Sequence, residues 1–136
     1  MLITRETDYS IRILRALAKR GRLTAAELTE DEQIPLAFAY KILKKLQKGG
    51  FLRIFRGPGG GYLLAVSLDK VTLYDLMQVT EDPFYVSPCI LPDHLCPWCD
   101  AHPDEVCRAH LHLQAIQKTL EDELKAKSLH QVFFGE

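Results

Sequence analysis

Four cysteines fall within 19 of the 136 residues: Cys89, Cys96, Cys99 and Cys107. His94, His102, His110 and His112 sit among them. Thiolates bind soft or borderline metals and iron–sulfur clusters, and a short segment can bring three or four of them to one point. Prolines 83, 88, 92, 97 and 103 share the stretch, and they lower the entropy lost when a loop wraps a centre. The spacing places Cys107 in the first turn of the helix that follows, where the macrodipole favours a thiolate. His110 then lies near it on the same helical face. Three chemistries fit this pattern. The first is a metal or cluster site. The second is zinc, since Cys96-Pro97-Trp98-Cys99 is the C-x2-C half of a zinc site, although the other half is irregular. The third is a thiol–disulfide pair of Cys96 and Cys99, which lacks the strand–helix context of a thioredoxin fold. Chance seldom gathers every cysteine of a chain so tightly, which argues against four inert residues.

The surroundings narrow the class. A chain of this length makes one domain, or one domain with an appendage. With 47% hydrophobic and 26% charged residues, the composition is that of a globular protein. No run approaches the roughly 18 apolar residues of a membrane span, and Met1-Leu2-Ile3-Thr4-Arg5-Glu6 has no signal-peptide pattern. A cytoplasmic protein with reduced cysteines and no membrane partner is expected. The net charge of −1 conceals a division. Residues 1–66 hold 12 Lys/Arg against 6 Asp/Glu, and residues 67–136 hold 5 against 12, leaving +6 and −7. A basic half joined to an acidic, cysteine-bearing half fits a nucleic-acid reader with a control segment. No G-x-S-x-G, phosphate loop or carboxylate pair points to an enzyme.

The elements that would carry this begin with a helix from Thr4 to about Lys19, its core face Tyr9, Ile13, Ala16 and Leu17. Thr24 and Glu27 have capping-box spacing and start a short second helix to about Asp31. Pro35 suits the first turn of a third helix, Leu36 to Lys48. Its apolar stripe is Leu36, Ala39, Tyr40, Leu43 and Leu46, and its other faces carry four lysines and no acid. If this is the second helix of a helix-turn-helix, Ala37, Phe38, Tyr40 and Lys41 are the candidates for base edges, and Lys44, Lys45 and Lys48 meet phosphates. Core packing is the competing role for Phe38 and Tyr40. Two apolar segments then flank Arg56-Gly57-Pro58-Gly59-Gly60-Gly61, which reads as a β-hairpin. Its Arg56, Gly57, Pro58 and Gly59 could lie against a phosphate backbone or in a minor groove. Thr72 and Asp75 cap a fourth helix to about Val79. Residues 81–103 show neither helical nor strand periodicity. A long last helix is expected from about Asp104 to Lys127, with Val106, Ala109, Leu113, Ile116 and Leu120 as a narrow seam suited to a second copy of the chain.

The opening Ile3-Thr4…Asp8-Tyr9, the segment Leu43-Lys44-Lys45-Leu46…Gly50-Phe51-Leu52, the wing Arg56-Gly57-Pro58-Gly59-Gly60-Gly61-Tyr62, and Cys89…Cys96…Cys107 together resemble the winged-helix transcription regulators typified by IscR, NsrR and CymR, the Rrf-two family. The resemblance covers essentially the whole chain. It implies a mainly α fold with a small β-hairpin, arranged as a homodimeric winged helix-turn-helix with a long C-terminal dimer helix. Residues 1–80 would bind double-stranded DNA at a palindromic operator, as a repressor or an activator. Residues 81–104 would hold an iron–sulfur cluster, and residues 105–136 would dimerise. Iron–sulfur, redox or nitric oxide status would be the signal. Cys89, Cys96 and Cys107 match the family's three cluster cysteines by order. Cys99, His110 and Asp8 are the candidates for a fourth ligand of a [2Fe-2S] or [4Fe-4S] centre, Asp8 reaching over from a partner subunit. Ten residues separate Cys96 from Cys107, more than in the family, and Cys99 is inserted between them. Zinc or direct cysteine oxidation on the same fold is the alternative.

Overall fold

The computed structural model describes residues 2–81 and 84–136. Met1, Asp82 and Pro83, the first of the five prolines around the cysteines, lie outside the described residues. The order of elements is α1 (Arg5–Arg20), α2 (Ala25–Glu32), α3 (Leu36–Lys48), β1 (Leu52–Phe55), β2 (Gly61–Leu64), α4 (Leu73–Thr80), a 3-10 turn (Pro88–Ile90), α5 (Pro97–Ala101), α6 (Arg108–Lys125) and α7 (Leu129–Phe134). A mainly helical chain with one hairpin is the winged helix expected from the sequence. No helix among the described residues is long and apolar enough to cross a membrane.

The core forms where the helical stripes meet. Ile13 and Leu14 of α1, Leu28 of α2, Ile42, Leu43 and Leu46 of α3, Leu76 and Met77 of α4 and Leu129 of α7 are all fully buried. The Thr24/Glu27 and Thr72/Asp75 capping boxes are both present. Thr4 is the N-cap of α1 but makes no capping bond, because its hydroxyl is drawn to Glu81 instead. Pro35 stands one residue earlier than expected, as the N-cap of α3.

The stripe of α3 is rotated relative to the sequence reading. Ala39, Ile42, Leu43 and Leu46 are buried, whereas Leu36 and Tyr40 are more than half exposed. At the start of α3, Phe38 and Ala39 turn toward the core, which leaves Leu36 and Tyr40 on the uncovered face.

β1 and β2 pair antiparallel, with Leu52 opposite Leu64 and Phe55 opposite Gly61. Leu23, in the turn between α1 and α2, bridges Tyr62 and extends the hairpin by a third short segment. The glycines of the turn do more than reverse the chain. A β-carbon on Gly60 would fall 2.8 Å from the Gly57 carbonyl oxygen, and one on Gly61 only 2.7 Å from that of Leu23.

The C-terminal region departs furthest from expectation. The segment 81–103 contains the 3-10 turn and α5, which were too short to show periodicity. α6 begins at Arg108 rather than near Asp104, and Val106 before it is 71% exposed. α6 packs on α4 and the 3-10 turn through Leu113, Gln117, Leu120 and Leu124. Ala109 and Ile116 of the expected seam are exposed, as is Leu111. α7 returns to the winged core, where Leu129 N–H donates to the Val71 carbonyl at 2.8 Å.

Candidate nucleic-acid interface and cysteine pocket

The third helix and the hairpin present one surface. Ala37, Tyr40, Lys41, Lys44 and Lys48 are exposed on α3, and Arg56, Gly57, Pro58 and Gly59 are exposed at the hairpin tip. Phe38 is half-buried, edge-to-face on Tyr9 with ring centroids 5.4 Å apart, and the Lys41 ammonium lies 5.8 Å over its ring. Packing is therefore the main role the structure gives Phe38, while Tyr40 faces outward.

The α3 lysines are not equivalent. Lys41 and Lys45, one turn apart, both reach Glu6 of α1, at 2.8 and 2.5 Å. Burial alone would raise the Glu6 pKa, but the hydrogen bonds from Lys41 and Lys45 outweigh it and hold the carboxyl below the usual range. Lys44 and Lys48 make no ion pair among the described residues. Lys45 thus orients α3 on α1, and Lys44 and Lys48 carry charge free for a polyanion.

The four cysteines come together. Cys89, Cys96, Cys99, Cys107 and His110 all line one pocket of about 630 Å³, with His94 and Asp100. Pro97 at the first position of α5 sets Cys96 as its N-cap. Cys107 is the N-cap of α6 rather than a residue of its first turn, and its sulfur accepts the His110 N–H at 3.4 Å. Cys89 lies in the 3-10 turn, 3.2 Å from Ser87 Oγ. All four thiols are unbridged. The Cys99 N–H, then its thiol, hydrogen-bond to Cys96 and draw the Cys96 pKa down, and donating to Cys96 pushes the Cys99 thiol up. Among the described residues, no three metal-ligating side chains already converge on a point. The donor set nevertheless fits a thiophilic centre, with four thiols and an imidazole around one cavity. Asp8 is elsewhere, paired with Arg12 at 2.9 Å.

Residues that sequence reasoning missed position both regions. Gln117 is 5% exposed. Its carbonyl accepts the Val86 N–H at 2.9 Å, and its amide donates to the Phe84 carbonyl at 3.2 Å. It thereby ties the start of the cysteine segment to α6. Glu81 ties the same segment to α1 through Thr4 and Thr7. No local pattern announces either residue, because their partners are about 30 or more positions away.

A basic helix beside a glycine-tipped hairpin on a three-helix core defines a winged helix-turn-helix protein. The profile of the Rrf2 family, described as an iron-dependent transcriptional regulator, matches residues 3–134. The chain belongs to this family and is a DNA-binding transcription regulator of the IscR, NsrR and CymR type. It is 31% identical over 104 residues to protein aau3 of Rhizobium meliloti, covering 74% of this chain and 68% of that one. It is 30% identical over 92 residues to the HTH-type transcriptional regulator NsrR of Bacillus subtilis, covering 65% and 63%. The solved structure of CymR, the global cysteine regulator of B. subtilis, superposes with a TM-score of 0.77 at 20% identity, covering 100% and 98% of the two chains.

Proposed function

We propose that the protein acts as a homodimer on a palindromic operator and senses iron–sulfur, redox or nitric oxide status through its cysteine pocket. In this reading residues 1–80 bind DNA, residues 81–104 carry the sensor and residues 105–136 dimerise. The observation that carries it is the convergence of Cys89, Cys96, Cys99, Cys107 and His110 on one cavity at the start of α6. Cys89, Cys96 and Cys107 would hold an iron–sulfur cluster, with Cys99, His110 or Asp8 of the partner subunit completing it. Bound there, the cluster would supply a group whose charge and integrity change with oxidants or nitric oxide. The description of the family as iron-dependent supports this assignment. Exposed Leu111 and Ile116 on α6 support a second copy packing there.

The chain's own residues supply the rest. α3 would enter a major groove through Ala37, Tyr40 and Lys41, with Lys44 and Lys48 on phosphates. The Arg56–Gly59 tip would take the flanking minor groove. Regulation requires the cluster to favour one DNA-binding state over the other. The junction at Cys107 is the lever, since it caps the helix that would set the spacing of the two heads.

Anaerobic purification with counts of iron, acid-labile sulfide and zinc per chain tests the sensor. Stoichiometric iron and sulfide, lost in Cys107→Ala together with the difference in DNA affinity between holo and apo forms, is expected. A protein that stays colourless after anaerobic reconstitution overturns the cluster. Cys96 as the N-cap of α5 and Cys99 within it, both lining the pocket, favour a second reading, direct oxidation of that pair, which a mass loss of two hydrogens after peroxide would reveal.

A further inference from the structure

Between α3 and the hairpin lies an open cleft of about 580 Å³. It is lined by Tyr40 of α3, by the hairpin from Ile54 to Tyr62, and by Arg22, Thr24 and Glu27 from the start of α2 and the turn before it. That turn is fixed to the hairpin. Leu23 N–H donates to the Tyr62 carbonyl at 3.2 Å, and Tyr62 N–H donates back at 2.8 Å. Arg22 precedes that bridge and runs beneath the glycine tip. A β-carbon on Gly61 would stand 3.2 Å from Arg22 Cγ, and one on Gly59 would stand 3.8 Å from its Nη2.

Arg22 is exposed and makes no ion pair among the described residues. Its neighbour Arg20 is taken by Asp31 and Glu27. Glu27 is the acid at the cleft. One of its oxygens accepts the Thr24 N–H and hydroxyl, and the other stands 4.0 Å from Arg20. Its charge is therefore partly answered, and Arg22 supplies the cleft with a free guanidinium.

Duplex geometry limits what can enter. Adjacent major and minor grooves are divided by a single sugar–phosphate strand. A protein with α3 in one groove and its wing in the next must hold that strand between them, and the cleft occupies that position. We propose that the cleft is a channel for the dividing strand and that Arg22 is its phosphate ligand, acting across the glycine tip from Arg56. This rests on the winged binding mode proposed above. A guanidinium suits the task because its planar fork of donors matches two phosphate oxygens. Tyr40 and Tyr62 line the same channel. Both phenolic hydroxyls can donate to a phosphate oxygen. The glycines let the tip close over the strand without side chains in the way.

The full-length protein is titrated, by fluorescence anisotropy over a range of salt, against a duplex it has selected from a random pool and a scrambled duplex. Phosphate-ethylation interference is mapped on the selected duplex. Arg22→Ala lowers the slope of log affinity against log salt by about 0.9 for each phosphate no longer neutralised. It weakens both duplexes alike and abolishes interference at a phosphate between the two groove footprints. Arg22→Lys retains the slope, and the melting temperature of both variants stays at the wild-type value. If Arg56→Ala lowers the slope but Arg22→Ala leaves slope and interference unchanged, the channel is wrong and the winged mode stands. If neither variant changes the slope, the winged mode fails and the channel with it.

Discussion

Glu81 Oε1 accepts a hydrogen bond from Thr7 Oγ1 at 2.7 Å, and by it the root of the cysteine segment is fastened to the first turn of α1. The same oxygen accepts from the Thr4 N–H at 2.9 Å and the Thr4 hydroxyl at 2.7 Å. Glu6 of that turn holds Lys41 and Lys45 of α3. One helical turn therefore grips the helix proposed to face DNA and the segment that carries the thiols.

Removing Glu81 tests how much this junction holds. Glu81→Ala leaves three donors without their acceptor, and an unsatisfied group costs about 1–3 kcal/mol. Urea denaturation of the apo protein checks the loss, with Glu81→Gln falling between Ala and wild type.

Acid acts on the same turn. Burial works against the Glu81 charge, but the bonds from Thr7 and Thr4 outweigh it and bring its pKa below the ordinary 4.5. Glu6 is lowered likewise. A carboxyl with a depressed folded pKa contributes stability above its unfolded value and loses it as pH falls through the folded one. Stability is therefore expected to hold down to about pH 5 and then decline. Melting temperatures from pH 7 to 3 should show this decline, flattened in the Glu6→Gln, Glu81→Gln double variant.

The lysines of α3 separate by role. Lys44→Ala is expected to lower the salt slope of DNA binding by about 0.9, the amount that one neutralised phosphate contributes. Lys45→Ala is expected to change the slope less and lower the melting temperature more, because its ammonium is already engaged by Glu6. Equal slopes in the two variants would contradict this division.

Much of the reader was legible because its signals are local. A capping box spans four residues, and Leu36–Lys48 shows its bounds through a proline before and glycines after. The hairpin carries its turn in its own glycines. The orientation of Tyr40 was not legible, since exposure depends on which face of α3 the other elements cover, and that face is Ala39, Ile42, Leu43 and Leu46. In the cysteine segment, composition marked where the thiols gather while the geometry stayed hidden. α5 has too few residues to display a period, and Cys107 is a cap because its sulfur accepts the His110 N–H. Glu6, Glu81 and Gln117 act on partners that only folding brings near, and folding alone sets Arg22 beside the glycine tip.

The wing has its own test. Gly61 has φ of +141°, and a β-carbon there meets the Leu23 carbonyl. Gly61→Ala must push the Leu23 segment away and adopt a backbone that side chains disfavour, at a cost on the order of 1–3 kcal/mol. A lower melting temperature and weaker DNA binding are expected together. Gly57→Ala, at φ of +83° but with open space around it, should bring the smaller loss of stability because only the backbone strain is incurred.

Gln117 separates the cysteine segment from the winged core. Gln117→Leu keeps the volume but strands the Val86 N–H and the Phe84 carbonyl, which it pairs at 2.9 and 3.2 Å. Its bond to Glu121 at 3.2 Å is removed as well. The 84–96 segment should then leave α6 and become open to protease, because the half-buried backbone groups lose their partners and water can satisfy them instead. The winged core does not use Gln117, so apo-protein affinity for DNA should stay within about twofold of wild type, a change under 0.5 kcal/mol. Limited proteolysis with mass mapping, run beside a DNA titration, checks both halves. Cleavage in 84–96 with intact DNA binding supports Gln117 as the clasp of the sensor segment. Loss of DNA binding by the apo variant would instead place Gln117 in the support of the reader.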